Sequence, residues 1–176
     1  MIKPSRNILI GGAVFVVAVA VLFAFTFSAA LKKRDEPQAR PTLQAASGTQ
    51  LVNVAPFHFC DDIATQRCDA PTRPAKIAVE PGKAIVISLP EYITSKPWDI
   101  LIQRYDTKLG RATIQTETHV QPKEATLVLK STEELLLAAV EIRVPSPIQD
   151  QFGNLIAQSV WGIDTLASDY ALVQRP

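Results

Sequence analysis

Ile8 to Leu31 is an apolar run without one charged side chain, and it constrains everything C-terminal to it. Inside a bilayer only a helix or a closed barrel satisfies its own backbone polar groups, and about 20 apolar residues are needed to cross roughly 30 Å of hydrocarbon. The run is long enough to be one N-terminal transmembrane helix. A cleaved signal peptide is the competing reading, because Lys3 and Arg6 precede the run and Ser28, Ala29 and Ala30 supply small residues near its end. A secretory core, however, holds roughly 7 to 15 apolar residues, and Ile8 to Phe27 alone is 20. The spacing predicts a retained anchor. No Cys follows directly, which argues against a lipid-modified N-terminus.

Basic residues flank the run on both sides, Lys3 and Arg6 before it and Lys32, Lys33 and Arg34 after it, so the positive-inside rule by itself slightly favours the C-terminal side as the inner one. The cysteines decide against it. Cys60 and Cys68, with seven residues between them, are expected as a disulfide, and disulfides persist in oxidising compartments. The expected arrangement is a single-pass plasma-membrane protein with its C-terminal domain outside the cytoplasm. Gly12, Ala20, Ala24 and Ser28 recur at multiples of four, so they share one helix face on which another helix could approach closely.

The chain divides into an anchor with basic flanks (1–34), a Pro-, Ser- and Gly-containing linker (35–50) and one exported domain (51–176). Beyond Arg34 there are 13 basic against 17 acidic residues, a net −4 hidden by the near-neutral whole. A mildly acidic domain has no electrostatic footprint for nucleic acid.

From Leu51 onward, short β-branched and aromatic runs alternate with Pro, Gly, Asp and Asn. Candidate strands cover Leu51–Val54, Lys76–Glu80, Ala84–Leu89, Trp98–Asp106, Arg111–Val120, Leu127–Leu129, Leu135–Val144 and Leu155–Asp164. Ile85, Ile87 and Leu89 fall on one face, as do Trp98, Ile100 and Ile102. In Arg111–Val120, Ala112, Ile114, Thr116, Thr118 and Val120 form the less polar face, and His119 lies on the solvated one. Pro145 and Pro147 are expected to bound the Leu135 strand, and Asp150–Asn154 reads as a hairpin turn. Trp161 and Ile163 share a face, expected in the core. With no helical segments between strands, the simplest burial solution is an all-β antiparallel sandwich. The stretch Glu80–Gly110, with its Pro-Gly turn and a strand opened by Trp98, resembles the second and third strands of immunoglobulin-like domains. It departs from them in having no Cys on either strand.

Chemistry is sparsely signalled. Metal binding by His58, Cys60, Cys68 and an acidic neighbour is weakly signalled, because His58 and Cys60 share a strand face but no second close pair of ligands accompanies them. Asp61, Asp62 and Asp69 do not match a calcium loop. With only His58 and His119, and no Gly-x-Ser-x-Gly turn, there is no catalytic constellation. No enzyme, cofactor or metal is expected.

The layout resembles an uncharacterised family of membrane-anchored exported actinobacterial proteins, a domain of unknown function. The residues carrying the resemblance are the Cys60–Cys68 pair after Phe57-His58-Phe59, the Pro81-Gly82 turn and the Trp98 strand. It implies a cell-envelope setting and no reaction. The expected role is a non-enzymatic accessory or scaffold protein of a larger membrane complex, respiratory complexes offering one analogy, with membrane proteins and the lipid bilayer as partners. The alternative is an exported module that binds a ligand or envelope polymer.

Overall fold

A computed structural model describes residues 15–28, 40–65, 67–121 and 124–167. The chain separates into two units, Met1–Ala39 and Arg40–Pro176. In the first, residues 15–28 form a helix, α1, with exposed side chains. Thr26 and Ser28 donate their hydroxyls back to the carbonyls of Leu22 and Phe25. Ala20, Ala24 and Ser28 lie on α1, whereas Gly12 and both ends of the expected anchor lie outside the described residues. Among the described residues no helix is long and apolar enough to cross a membrane.

The second unit is built almost wholly of strands: β1 (Leu43–Ser47), β2 (Gln50–Val54), β3 (His58–Asp62), β4 (Arg67–Cys68), β5 (Ala75–Lys76), β6 (Ala84–Ser88), β7 (Trp98–Asp106), β8 (Arg111–His119), β9 (Thr126–Lys130), β10 (Leu135–Gln149) and β11 (Leu155–Asp164). A four-residue helix, α2 (Glu91–Thr94), joins β6 to β7. One sheet has the order β2-β1-β6-β9; the other runs β4-β3-β11-β10-β7-β8, with the short β5 lying parallel to β11.

The alternation read from the sequence explains how the two sheets meet. Leu43, Ala45, Val54, Ile85, Ile87 and Leu127 point inward from the first sheet. From the second, register aligns Ile100, Ile142 and Trp161 in one row and Ile102, Val140 and Ile163 in the next. All twelve belong to one buried cluster, so the unit is a β-sandwich with a single core. Trp98 and Trp161 are its largest fully buried side chains. The Trp161 indole N–H donates to the Pro41 carbonyl at 2.9 Å, fixing the chain ahead of β1 to the core.

Three expectations are corrected. Residues 43–47, assigned to the linker on composition, form β1, because Leu43 and Ala45 find buried places between β2 and β6. Pro145 and Pro147 do not end the strand before them. β10 continues to Gln149 through two register shifts, where β7 no longer flanks it and a missing N–H costs no regular ladder bond. The less polar face of β8 is not the inward one: Thr113, Gln115, Glu117 and His119 pair with Arg104, Ile102, Ile100 and Trp98, while Ile114 is 67% exposed. β8 ends a sheet wider than its partner, so neither face is fully covered.

Candidate functional site

Two features stand out: the hairpin of β3 and β4, and the outer face of the four-stranded sheet. In the hairpin, Cys60 and Cys68 are direct cross-strand partners and are joined as a disulfide. Asp62 organises the turn between them, accepting the Ala64 N–H at 2.9 Å and the Thr65 hydroxyl at 2.8 Å. These donors hold its carboxyl below the ordinary value, the Thr65 hydroxyl most.

Arg40 binds both sides of the hairpin. Its guanidinium pairs with Asp61, next to Cys60, and donates to Asp69, next to Cys68, at 2.9 Å. It also lies 4.4 Å from the Phe59 ring centroid, a cation–π distance. The hydrogen bond from Arg40 pulls the Asp61 carboxyl down, and the same bond raises the guanidinium further above its usual range. Asp61, Asp62 and Asp69 therefore direct oxygens to Arg40 and to turn donors. Sequence reasoning missed Arg40, because its partners lie 21 and 29 positions away and no local pattern joins them.

His58 completes the hairpin's chemistry. Its Nε2 lies 3.3 Å from Cys60 Sγ, and the ligand atoms of His58, Cys60 and Cys68 all fall within 4.8 Å of one another. The residues weighed as a metal set thus do converge, with their sulfurs engaged in the disulfide. His119 is not the solvated side chain expected. Its ring stacks on Trp98, and its Nε2 is buried with no hydrogen-bond partner among the described residues.

On the outer face, register lines up Leu51, Ala46, Val86 and Val128 across all four strands. Leu51 is 67% exposed, Val86 39% and Val128 58%. The adjacent row is Asn53, Gln44, Ser88 and Thr126. None of these eight side chains carries a charge. The signal lay in the sequence, as Val86 and Val128 stand at positions a solvated strand face would give to polar residues. An open depression of about 420 Å³ lies elsewhere, bordered by Lys96, Pro97, Pro145, Pro147 and Leu155. It presents few converging polar groups.

Fold and site together define a two-sheet β-sandwich with a disulfide-stapled hairpin and an uncharged outer face. The chain belongs to the family described as protein of unknown function (DUF2771), which matches residues 36–166. That match includes β1 and the segment carrying Arg40. No curated protein and no solved structure matches the chain.

Proposed function

We propose that this chain is a non-enzymatic accessory or scaffold protein of the cell envelope, held in the plasma membrane by Ile8–Leu31 with its sandwich outside the cytoplasm and docked on a larger membrane protein assembly. The observation that carries the reading is the row Leu51, Ala46, Val86 and Val128. An exposed apolar strip crossing a whole sheet, beside a row of neutral polar groups, is a surface suited to another protein. The Cys60–Cys68 disulfide supports an oxidising location, and the resemblance to anchored actinobacterial proteins supports the envelope setting.

The immunoglobulin-like reading is supported by strand order. With β1, β6, β7, β8, β9, β10 and β11 taken as strands A, B, C, C′, E, F and G, one sheet contains A-B-E and the other G-F-C-C′, the distribution of immunoglobulin-like sandwiches. Trp98 opens strand C and is fully buried. The β3–β4 hairpin and β5 are then an insertion between A and B that extends the sheet beyond G.

The test is purification of tagged full-length protein from native membranes in mild detergent, beside a version lacking residues 1–34. Stoichiometric co-elution with other subunits, lost or weakened in the truncated form, is expected. Full-length protein emerging alone at native expression level would overturn the proposal.

A further inference from the structure

The hairpin carries a second, latent chemistry. A tetrahedral thiophilic metal ion takes thiolate sulfurs at about 2.3 Å and an imidazole nitrogen at about 2.0 Å, which puts its ligand atoms within roughly 4 Å of one another. His58 Nε2, Cys60 Sγ and Cys68 Sγ already gather within 4.8 Å. They are held there by more than the S–S bond. The β3–β4 pairing aligns the two cysteines, and Arg40 ties Asp61 beside the one to Asp69 beside the other. Asp62 closes the turn between them. Opening the disulfide therefore leaves both sulfurs positioned next to the imidazole.

We propose that the dithiol form of the hairpin is a three-ligand site, His58, Cys60 and Cys68, for a thiophilic ion of the Zn²⁺ or Cu⁺ class, and that the disulfide, re-formed by exchange with an external disulfide that is itself reduced to the dithiol, closes this site. The pair is asymmetric: Cys68 is exposed, whereas Cys60 is 2% exposed and touches His58. One thiolate of an external dithiol attacks Cys68 Sγ. The Cys60–Cys68 bond breaks, and Cys60 leaves with the electron pair and takes a proton from solvent. The second thiolate of the dithiol then attacks its own sulfur in the mixed disulfide, releasing Cys68. In sum the hairpin gains two electrons and two protons, and the dithiol becomes a disulfide. The metal displaces both thiol protons and takes neutral imidazole as its third ligand, leaving a fourth position open.

The experiment uses the full-length protein in detergent, reduced with a phosphine that is then removed without air, and titrated with Co²⁺ as the spectroscopic probe. Expected are visible bands of tetrahedral Co²⁺ with sulfur-to-metal charge transfer, saturating at one equivalent, and none from the oxidised protein. Cys60→Ser and Cys68→Ser should abolish the bands. His58→Ala should weaken binding about tenfold or more while leaving the melting of the oxidised protein near wild type. The proposal is overturned if the reduced protein stays folded by circular dichroism yet binds no Co²⁺, or if His58→Ala binds as tightly as wild type. It is equally overturned if reduction unfolds the sandwich, because Arg40 and the ladder must hold the open site.

Discussion

The imidazole of His119 lies flat on the indole of Trp98, with ring centroids 3.9 Å apart and planes 10° from parallel. The two residues are register partners on β7 and β8, where the wider sheet runs past the narrower. The stack caps an otherwise open edge of the core. The stacking has a polar cost, since among the described residues His119 Nε2 is buried without a hydrogen-bond partner and a carboxylate oxygen of Glu117 is 4.0 Å away. His119→Ala should lose about 1 kcal/mol, the scale of an aromatic pair. His119→Phe keeps the stack and removes the orphaned nitrogen, so it should match or exceed wild-type stability. Urea unfolding of both variants decides; equal losses would show that the ring contact contributes nothing.

Gly162 is required for space rather than for backbone freedom. A Cβ there would stand 2.9 Å from Phe57 Cε1 and 3.2 Å from Pro74 Cβ, so the segment that crosses β11 before β5 lies directly on this glycine. Gly162→Ala should destabilise by about 1 to 3 kcal/mol, the cost of overpacking. Adding Phe57→Leu should recover part of that loss. Thermal unfolding checks both, and an unchanged midpoint for Gly162→Ala would contradict the contact.

Asp150 controls the β10–β11 turn and should make it sensitive to acid. Its carboxylate accepts the backbone N–H groups of Asn154 at 2.9 Å and Phe152 at 2.8 Å. Its pKa is lowered from the ordinary 3.8, chiefly by the Asn154 backbone and then by the Asn154 side chain. A depressed folded-state value means the contribution is complete above the unfolded value, near 3.9, and fades as pH falls through the folded one. Asp150→Ala should melt below wild type at pH 7, and the two should converge below about pH 4. Asp150→Asn, whose side chain still accepts a hydrogen bond, should show no such convergence. A constant gap between wild type and Asp150→Ala across this range would refute the linkage.

What the sequence disclosed follows from what is local. Period-two patterns in Ala84–Leu89 and Trp98–Asp106 placed Ile85, Ile87, Trp98 and Ile100 in the core, because burial on one face of a strand writes itself into alternate residues. Leu135–Val144 is ambiguous by local pattern, since Glu133–Ala139 suits a helix and Val140–Val144 a strand, and its pairing with β7 and β11 makes it a strand. The cysteine spacing pointed to the hairpin disulfide. What stayed hidden depends on partners distant in sequence. β1 contains two alanines, a serine and a glutamine, residues of weak strand preference, and becomes a strand only through pairing with β2 and β6. The inversion of β8 and the stacking of His119 follow from its register against β7. Arg40 lay in a proline-flanked segment whose composition suggested only a linker, and its contacts with Asp61, Asp69 and Phe59 arise when the hairpin folds against it.

The outer-face row yields a prediction that separates folding from docking on a single strand. Leu127 and Val128 are neighbours in β9, yet Leu127 belongs to the buried cluster and Val128 is exposed. Leu127→Lys would put an ammonium into apolar surroundings, a cost of several kcal/mol, and should prevent stable folding. Val128→Lys points the same side chain into solvent on an edge strand, where surface substitutions usually change stability by no more than about 0.5 kcal/mol. Leu51→Lys, at the other end of the row on β2, should behave alike. If the row is a contact surface, Leu51→Lys/Val128→Lys should fold with near-wild-type melting and lose its co-eluting subunits, since two ammonium groups would have to be desolvated against the partner. Melting and co-elution measured on the same preparations give the answer. Retention of partners by the folded double variant would remove this face from the interaction and leave the proposed anchor as the attachment to test.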